Sequence, residues 1–205
     1  MMSIGLTKSP PSITSHVPST IPVMPKETYI PCLFQLFRQY GYDGATLAKI
    51  SEATGLGKAS LYHHFPGGKE EMVETVLKSI ESWFDRHVLQ LLAGPGDALS
   101  RLQAMGDRLS EMYGGGQQPC LFAILLLGSA RDLFHDRVRG LLQMWIDAIA
   151  RVLVDEGMET VIARQRGEDV VIAIQGALIL SQGLGDLSSF QRTIQQLPHI
   201  ALRTD

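Results

Sequence analysis

The 205-residue sequence has little cysteine, no long apolar run and no excess of positive charge, and each shortage removes a class of protein. Cys32 and Cys120 are far apart and form no C-x-x-C pair, so neither a disulfide framework nor a thiolate metal site is expected, and both thiols are read as buried. The longest apolar run, residues 120–127, has eight members, well short of the roughly 18 needed to cross a bilayer. It reads as part of a core helix. Ile4, Leu6, Ile13 and Val17 are scattered among Ser, Thr and Pro instead of forming the continuous apolar stretch of a secretory signal, and a cytoplasmic location is expected. No G-x-S-x-G, H-E-x-x-H or P-loop pattern occurs, so neither an enzyme nor a cofactor is expected. Gly114-Gly115-Gly116 is remote from any strand or lysine that would make it a phosphate loop, and is read as a flexible connection.

The net charge of -3 conceals an uneven distribution. Residues 26–69 carry five cations (Lys26, Arg38, Lys49, Lys58, Lys69) against three acids (Glu27, Asp43, Glu52), whereas residues 70–205 carry twelve against eighteen. A mildly basic front on an acidic body suits a protein that turns one face toward phosphate, although this signal is weak by itself.

Residues 1–25, with Pro10, Pro11, Pro18, Pro22 and Pro25 among many Ser and Thr, are expected to form a disordered tail, since they offer little apolar surface to bury. From Thr28 a helical period begins, with Ile30, Leu33, Phe34 and Phe37 at spacings of three and four and an end at Gly41. Thr28 is the expected N-cap, which puts Pro31 in the first turn, where backbone N–H groups have no intrahelical partner. Short helices are expected at 46–54 and 58–65, and longer ones at 69–92, 97–113, 119–130, 135–156, 168–184 and 188–197, separated by Gly or Pro. The β-branched stretch 170–174 continues into Ala177, Leu178 and Leu180 at helical length, and no strand alternation appears elsewhere. The expected fold is all-α: a three-helix head over residues 26–72 followed by a larger helical bundle over residues 73–205.

Two short helices joined by a glycine-containing turn make a helix-turn-helix, whose second helix can enter the major groove. Leu47, Ile50, Leu56, Leu61 and Phe65 would form the small core, leaving Lys58, Ala59, Ser60, Tyr62 and His63 outward with no acid among them. Pattern alone leaves an ordinary helical corner equally open. The His63-His64 pair is not read as a metal site, because neighbouring residues on a helix diverge by about 100 degrees. His63 is placed toward the groove, and His64 inside the head or bonded to its backbone.

The residues Tyr40-Gly41-Tyr42-Asp43-Gly44, Thr46-Leu47-Ala48-Lys49-Ile50-Ser51-Glu52-Ala53-Thr54-Gly55 and Lys58-Ala59-Ser60-Leu61-Tyr62-His63-His64-Phe65 closely resemble the TetR family of bacterial regulators, over residues 28–80. The junction Phe65-Pro66-Gly67-Gly68-Lys69-Glu70 looks like one branch of that family, in which this loop is one residue longer. The resemblance implies an all-helical homodimer that binds double-stranded operator DNA and is released by a small-molecule effector held in the C-terminal bundle. It places phosphate contacts at Thr46, Tyr62 and Lys69, which set register, and base contacts at Lys58, Ala59, Ser60 and His63. Ala59 stands where the family often has Gly. Gly57 replaces the frequent Ser at the cap of the reading helix, a position that Gly fills without a side-chain bond.

The resemblance also favours a self-complementary contact built from the last two helices, with Val170, Ile174, Ala177, Leu178, Ser181, Phe190, Ile194 and Leu197 as its candidates. An internal core helix is the alternative for the 170–184 segment. Trp83, Met105, Leu109, Met112, Phe122 and Trp145 are the candidates for an effector pocket. Few polar groups lie near them, Gln143 and Gln175 among these, which points to a mostly apolar effector. The alternative function is a helical ligand-binding or interaction protein without DNA binding, which the departures at Gly57 and Ala59 leave open.

Overall fold

A computed structural model describes residues 25–203. The tail expected for residues 1–25 lies outside the described residues except for Pro25.

A 3-10 turn, Lys26–Tyr29, leads into α1 (Ile30–Gly44). Tyr29, not Thr28, occupies the cap position and makes no side-chain bond there, while Pro31 does fall in the first turn. Gly41 leaves helical geometry at φ 68°, so the regular part of α1 ends where its apolar period ends. Then come α2 (Leu47–Thr54), α3 (Lys58–His64) and α4 (Gly68–Phe84). A π turn, Asp85–Leu89, carries α4 into α5 (Gln90–Leu92). The body continues with α6 (Ala98–Met112), α7 (Leu121–Leu125), α8 (Ala130–Asp155), α9 (Thr160–Leu184) and α10 (Ser188–Leu202). Among the described residues there is no strand, and no helix is long and apolar enough to cross a membrane.

α10 runs to Leu202, past the expected end at 197, and three other boundaries differ from expectation for identifiable reasons. α7 is only one short turn, because the chain leaves helical geometry at Leu126 (ψ 5°) and then turns through Gly128 at φ 59°; α8 begins at Ala130 rather than 135. α9 begins eight residues before 168 because the Glu159 carboxylate accepts from the amides of Val161 and Ile162 at 3.0 and 3.1 Å, a cap with acceptor charge at the positive end of the helix. Gly167 therefore lies inside α9, where it has a packing role: a Cβ there would stand 2.8 Å from the carbonyl oxygen of Ile146 on α8. The two helices meet there backbone to backbone.

The Gly114–Gly116 segment is a compact 3-10 turn, not the loose connection expected. The Tyr113 carbonyl accepts from the amides of Gly116 and Gln118, both at 3.0 Å. Gly116, at φ 102°, presses so closely on Phe190 that a Cβ would lie 2.9 Å from that side chain. Of the two thiols, Cys120 is buried and Cys32 half-buried.

In the bundle, α9 packs mainly on α8 and α10, and α10 also packs on α6. This arrangement encloses the residues expected at a dimer face. Val170, Ile174, Ala177, Leu178, Ser181, Phe190, Ile194 and Leu197 are all buried within the single chain, in the interior shared by these helices. From Val170 to Leu184 α9 is apolar around most of its circumference, so its sequence does not distinguish the two sides. Its outward side carries Ile172, Ile179, Leu180 and Leu184, each more than half exposed, with Gly176 and Gly183 between them. At both glycines a Cβ would meet nothing within 4 Å.

Candidate nucleic-acid interface

The head is built around Ala45, Ile50, Leu61 and Phe65, all buried, with Leu56 half-buried against them. Leu47, expected in this core, is instead 36% exposed, and the smaller Ala45 fills the interior place two residues earlier. Thr46 caps α2, its Oγ1 accepting from the Lys49 amide at 3.3 Å. Between α2 and α3, Gly55 is left-handed at φ 71°, and two hydroxyls tie the turn. Ser51 donates to the Leu56 carbonyl, and Thr54 donates to the Ile50 carbonyl at 2.7 Å while accepting from the Leu56 amide at 3.3 Å. These side chains hold α3 at a set angle to α2 although Gly57 contributes no capping bond.

This scaffold presents Lys58, Ala59, Ser60, Tyr62 and His63 on the exposed side of α3. No carboxylate belongs to that side of the helix, so nothing on it opposes an approaching phosphate. His64 turns toward the head and meets Tyr29 edge to face at 5.2 Å. At the next junction, Glu71 accepts from the Gly67 amide at 2.8 Å and from Lys26 Nζ at 3.3 Å, which fixes the start of α4. Gly68, at φ 66°, lies beneath Tyr62: a Cβ there would be 3.7 Å from the ring. Tyr62 and the first turn of α4 are thus neighbours.

Not all cations of the basic front face outward. Lys69 is half-buried, donates from Nζ to the Tyr42 carbonyl at 2.7 Å and lies over the Tyr42 ring at 4.2 Å. Arg38 faces the bundle at 4% exposure. Its Nε donates to the Pro119 carbonyl at 2.8 Å, both terminal nitrogens reach the Met112 carbonyl at 3.4 Å, and its guanidinium covers the Phe34 ring at 4.6 Å. Burial pulls its pKa down, but an arginine starts high enough to stay charged. A helix-face reading of α1 takes Arg38 for a surface charge, since nothing local marks a long polar side chain that reaches across to another segment.

A second polar tie joins the head to the bundle. The Asp43 carboxylate accepts from the Ser129 amide at 3.1 Å and from the Ser129 hydroxyl, just before α8. These bonds hold the Asp43 carboxyl below its ordinary range. A carboxyl whose pKa is depressed by folding stabilises the fold above its unfolded value of about 3.9, and the contribution is lost as pH falls through the lower folded value. Hydrogen exchange at the Ser129 amide should therefore stay protected from neutral pH through pH 5 in the native chain. It should be several times faster at both pH values in Asp43→Ala; equal rates would mean that the carboxylate does not hold this joint.

The effector-pocket candidates separate into two groups. Trp83 and Met112 line a cleft of about 470 Å³ between α1, α4 and the end of α6, together with Phe34 and Arg38. Phe122 and Met112 line a much smaller recess beside it. Met105, Leu109 and Trp145 are fully buried in packed interior, with the Trp145 indole N–H aimed at the Met105 sulfur at 3.5 Å. Gln143 is exposed and Gln175 half-buried.

Residues 34–76 match the family model for bacterial regulatory proteins of the tetR family, and residues 98–196 match that for the LmrA/YxaF-like transcriptional regulator C-terminal domain. The chain is 24% identical over 168 residues to the uncharacterized HTH-type transcriptional regulator YxaF of Bacillus subtilis, covering 80% of this chain and 88% of that one. A TetR transcriptional regulator from Legionella pneumophila superposes with a TM-score of 0.74 at 18% identity, covering 85% of this chain and 95% of that one. The regulator CifR, solved as a cysteine mutant with 26-base-pair operator DNA, superposes at 0.71 with 16% identity, covering 84% and 94%. With one model matching the helix-turn-helix head and the other the bundle, the chain belongs to the TetR family of bacterial transcriptional regulators and is not an enzyme.

Proposed function

We propose that this DNA-binding regulator acts as a homodimeric repressor on a palindromic operator and leaves it when a small, largely apolar effector binds. The observation that carries the DNA part is the α3 face: an exposed, acid-free row of Lys58, Ala59, Ser60 and His63 on a helix whose other side is buried. Lys58 donates to guanine acceptors and the Ala59 methyl meets a thymine methyl, while Thr46 and Tyr62, and Lys69 once its ammonium exchanges the Tyr42 carbonyl for a phosphate, hold the backbone on either side. That a fold neighbour was solved on operator DNA supports this assignment of the head.

A single seven-residue reading helix touches few bases. Two copies related by a two-fold axis, about 34 to 36 Å apart or a multiple of it, read a palindrome. The exposed α9 stripe is the self-complementary surface that pairs them. The cleft beside α1 supplies the effector site, and the ties through Arg38 and Asp43 supply the mechanical link, since both connect head residues to loops of the bundle.

Fluorescence anisotropy on DNA from the protein's own promoter tests the reading. Lys58→Ala should weaken binding by roughly 1–3 kcal/mol, about 5- to 150-fold, and relax preference at one base position. Tyr62→Ala should weaken all sequences alike. Lys69→Gln should lower the slope of log affinity against log salt by about 0.9 for each phosphate that is no longer neutralised. If the native protein shifts none of this DNA, the repressor reading fails in favour of a ligand-binding protein without DNA binding.

A further inference from the structure

We infer that the cleft between α1, α4 and the end of α6 takes an organic anion, a carboxylate on an apolar body, with Arg38 of the head as its counter-charge. This rests on the effector reading above and gives the effector a charged end. Arg38 is 4% exposed and its guanidinium keeps its charge, yet among the described residues no carboxylate lies within ion-pair distance of it. Its hydrogen-bond acceptors are two backbone carbonyls, and its remaining neighbours include the faces of Phe34 and Tyr113 at 4.6 and 5.9 Å. A buried cation without an anion is costly, and such groups are normally paired.

The geometry of those bonds adds to the charge argument. Nε makes a normal bond at 2.8 Å, but both terminal nitrogens converge on one oxygen, the Met112 carbonyl, at 3.4 Å each. A planar fork with two donors matches the two oxygens of a carboxylate much better than a single shared carbonyl, and the charge-assisted bonds are shorter and stronger. Met112 is the last residue of α6, so its carbonyl stands at the negative end of that helix and gives only partial compensation.

The cleft fits such a ligand. Its volume of about 470 Å³ lies within the range of small-ligand sites. Phe34, Ile80, Trp83 and Met112 furnish an apolar wall, and Gln35 and Ser79 furnish polar groups along α1 and α4. The acid on its lining, Glu111, is already held by Arg108 at 2.9 and 3.1 Å and is well exposed. A carboxylate engaging the Arg38 fork competes directly with the Met112 carbonyl. Binding therefore loosens one of the ties between head and bundle, which couples occupancy to head orientation.

Calorimetry on the full chain with naphthalene-2-carboxylate and its neutral counterpart naphthalene-2-carboxamide tests this. The carboxylate should bind at least about tenfold more tightly. Gln35→Glu is an exposed change three residues from Arg38 on the same helix face, so it places a competing carboxylate beside the fork. It should reduce carboxylate affinity about tenfold and carboxamide affinity much less, so that the preference for the carboxylate falls. Arg38→Gln should abolish the preference; if that variant does not fold, Gln35→Glu carries the test alone. Equal affinities in the native chain, no binding of either compound, or indifference of the carboxylate to Gln35→Glu would each overturn the inference. A chain that prefers the carboxylate but shifts no promoter DNA would overturn only the repressor reading, and one that binds its operator without the preference would overturn only this one.

Discussion

Ile179→Asp is expected to produce folded monomers whose affinity for promoter DNA is lower by about 100-fold or more. Ile179 is 68% exposed on α9 and makes little contact within its own chain, so the change should alter monomer stability by less than about 0.5 kcal/mol. In a two-fold pairing through the outward stripe the situation is different. Ile172, Leu180 and Leu184 surround Ile179 with apolar surface, and Gly176 and Gly183 let a partner helix come close. Each protomer would bring one carboxylate into that interface, desolvated and close to its symmetry mate. A dimer gains from tethering two heads on one operator, an advantage of about 10²–10⁴ over one head alone. Sedimentation velocity gives the mass, circular dichroism the fold and anisotropy the DNA affinity. A variant that remains dimeric would remove this face of α9 from the interface.

Trp145→Ala should cost roughly 3–5 kcal/mol of stability, which in a chain of this size lowers Tm by about 10 °C. Trp145 is fully buried on α8, meets Phe84 of α4 edge to face at 5.3 Å and points its N–H at Met105 of α6. Three helices meet at this ring, and the void left by its removal cannot collapse without moving their backbones. Trp83→Ala offers the comparison. That ring is half-buried, stacked on His87 at 4.9 Å, and lines the cleft, so its loss should cost well under half as much stability while weakening any ligand of the cleft. Urea unfolding monitored by circular dichroism measures both. A cost below about 1 kcal/mol for Trp145→Ala would mean that this part of the core is loosely packed, and would return Trp145 to the candidate pocket.

The helix-turn-helix was legible because its determinants are local. The spacing of Ile50, Leu61 and Phe65, the glycines at 55 and 57, and the acid-free run from Lys58 to His63 all act within a few turns of one another. The same short-range logic placed Pro31 in a first turn and His64 against the head. It failed at Leu47, where periodicity counted any apolar residue as core, and it failed at Thr28, since the 3-10 turn before α1 moved the cap to Tyr29. Of the six residues considered for a pocket, Trp83, Met112 and Phe122 line cavities whereas Met105, Leu109 and Trp145 are fully buried. An aromatic or Met on a helical stripe carries no local sign of whether its neighbours fill the space beside it.

By itself, the order of residues determined the all-helical class, the position of the reading helix and the side chains it exposes, because helical period, caps and turn glycines express themselves over three to four residues. Only the tertiary structure decided which side of α9 is interior, which tryptophan is core, and that Arg38 and Asp43 join the head to the bundle. Each of those depends on a segment distant in the chain: α8 and α10 covering α9, the Met112 and Pro119 carbonyls meeting Arg38, Ser129 meeting Asp43. Such pairings arise from the packing of whole helices, which no window of neighbouring residues contains.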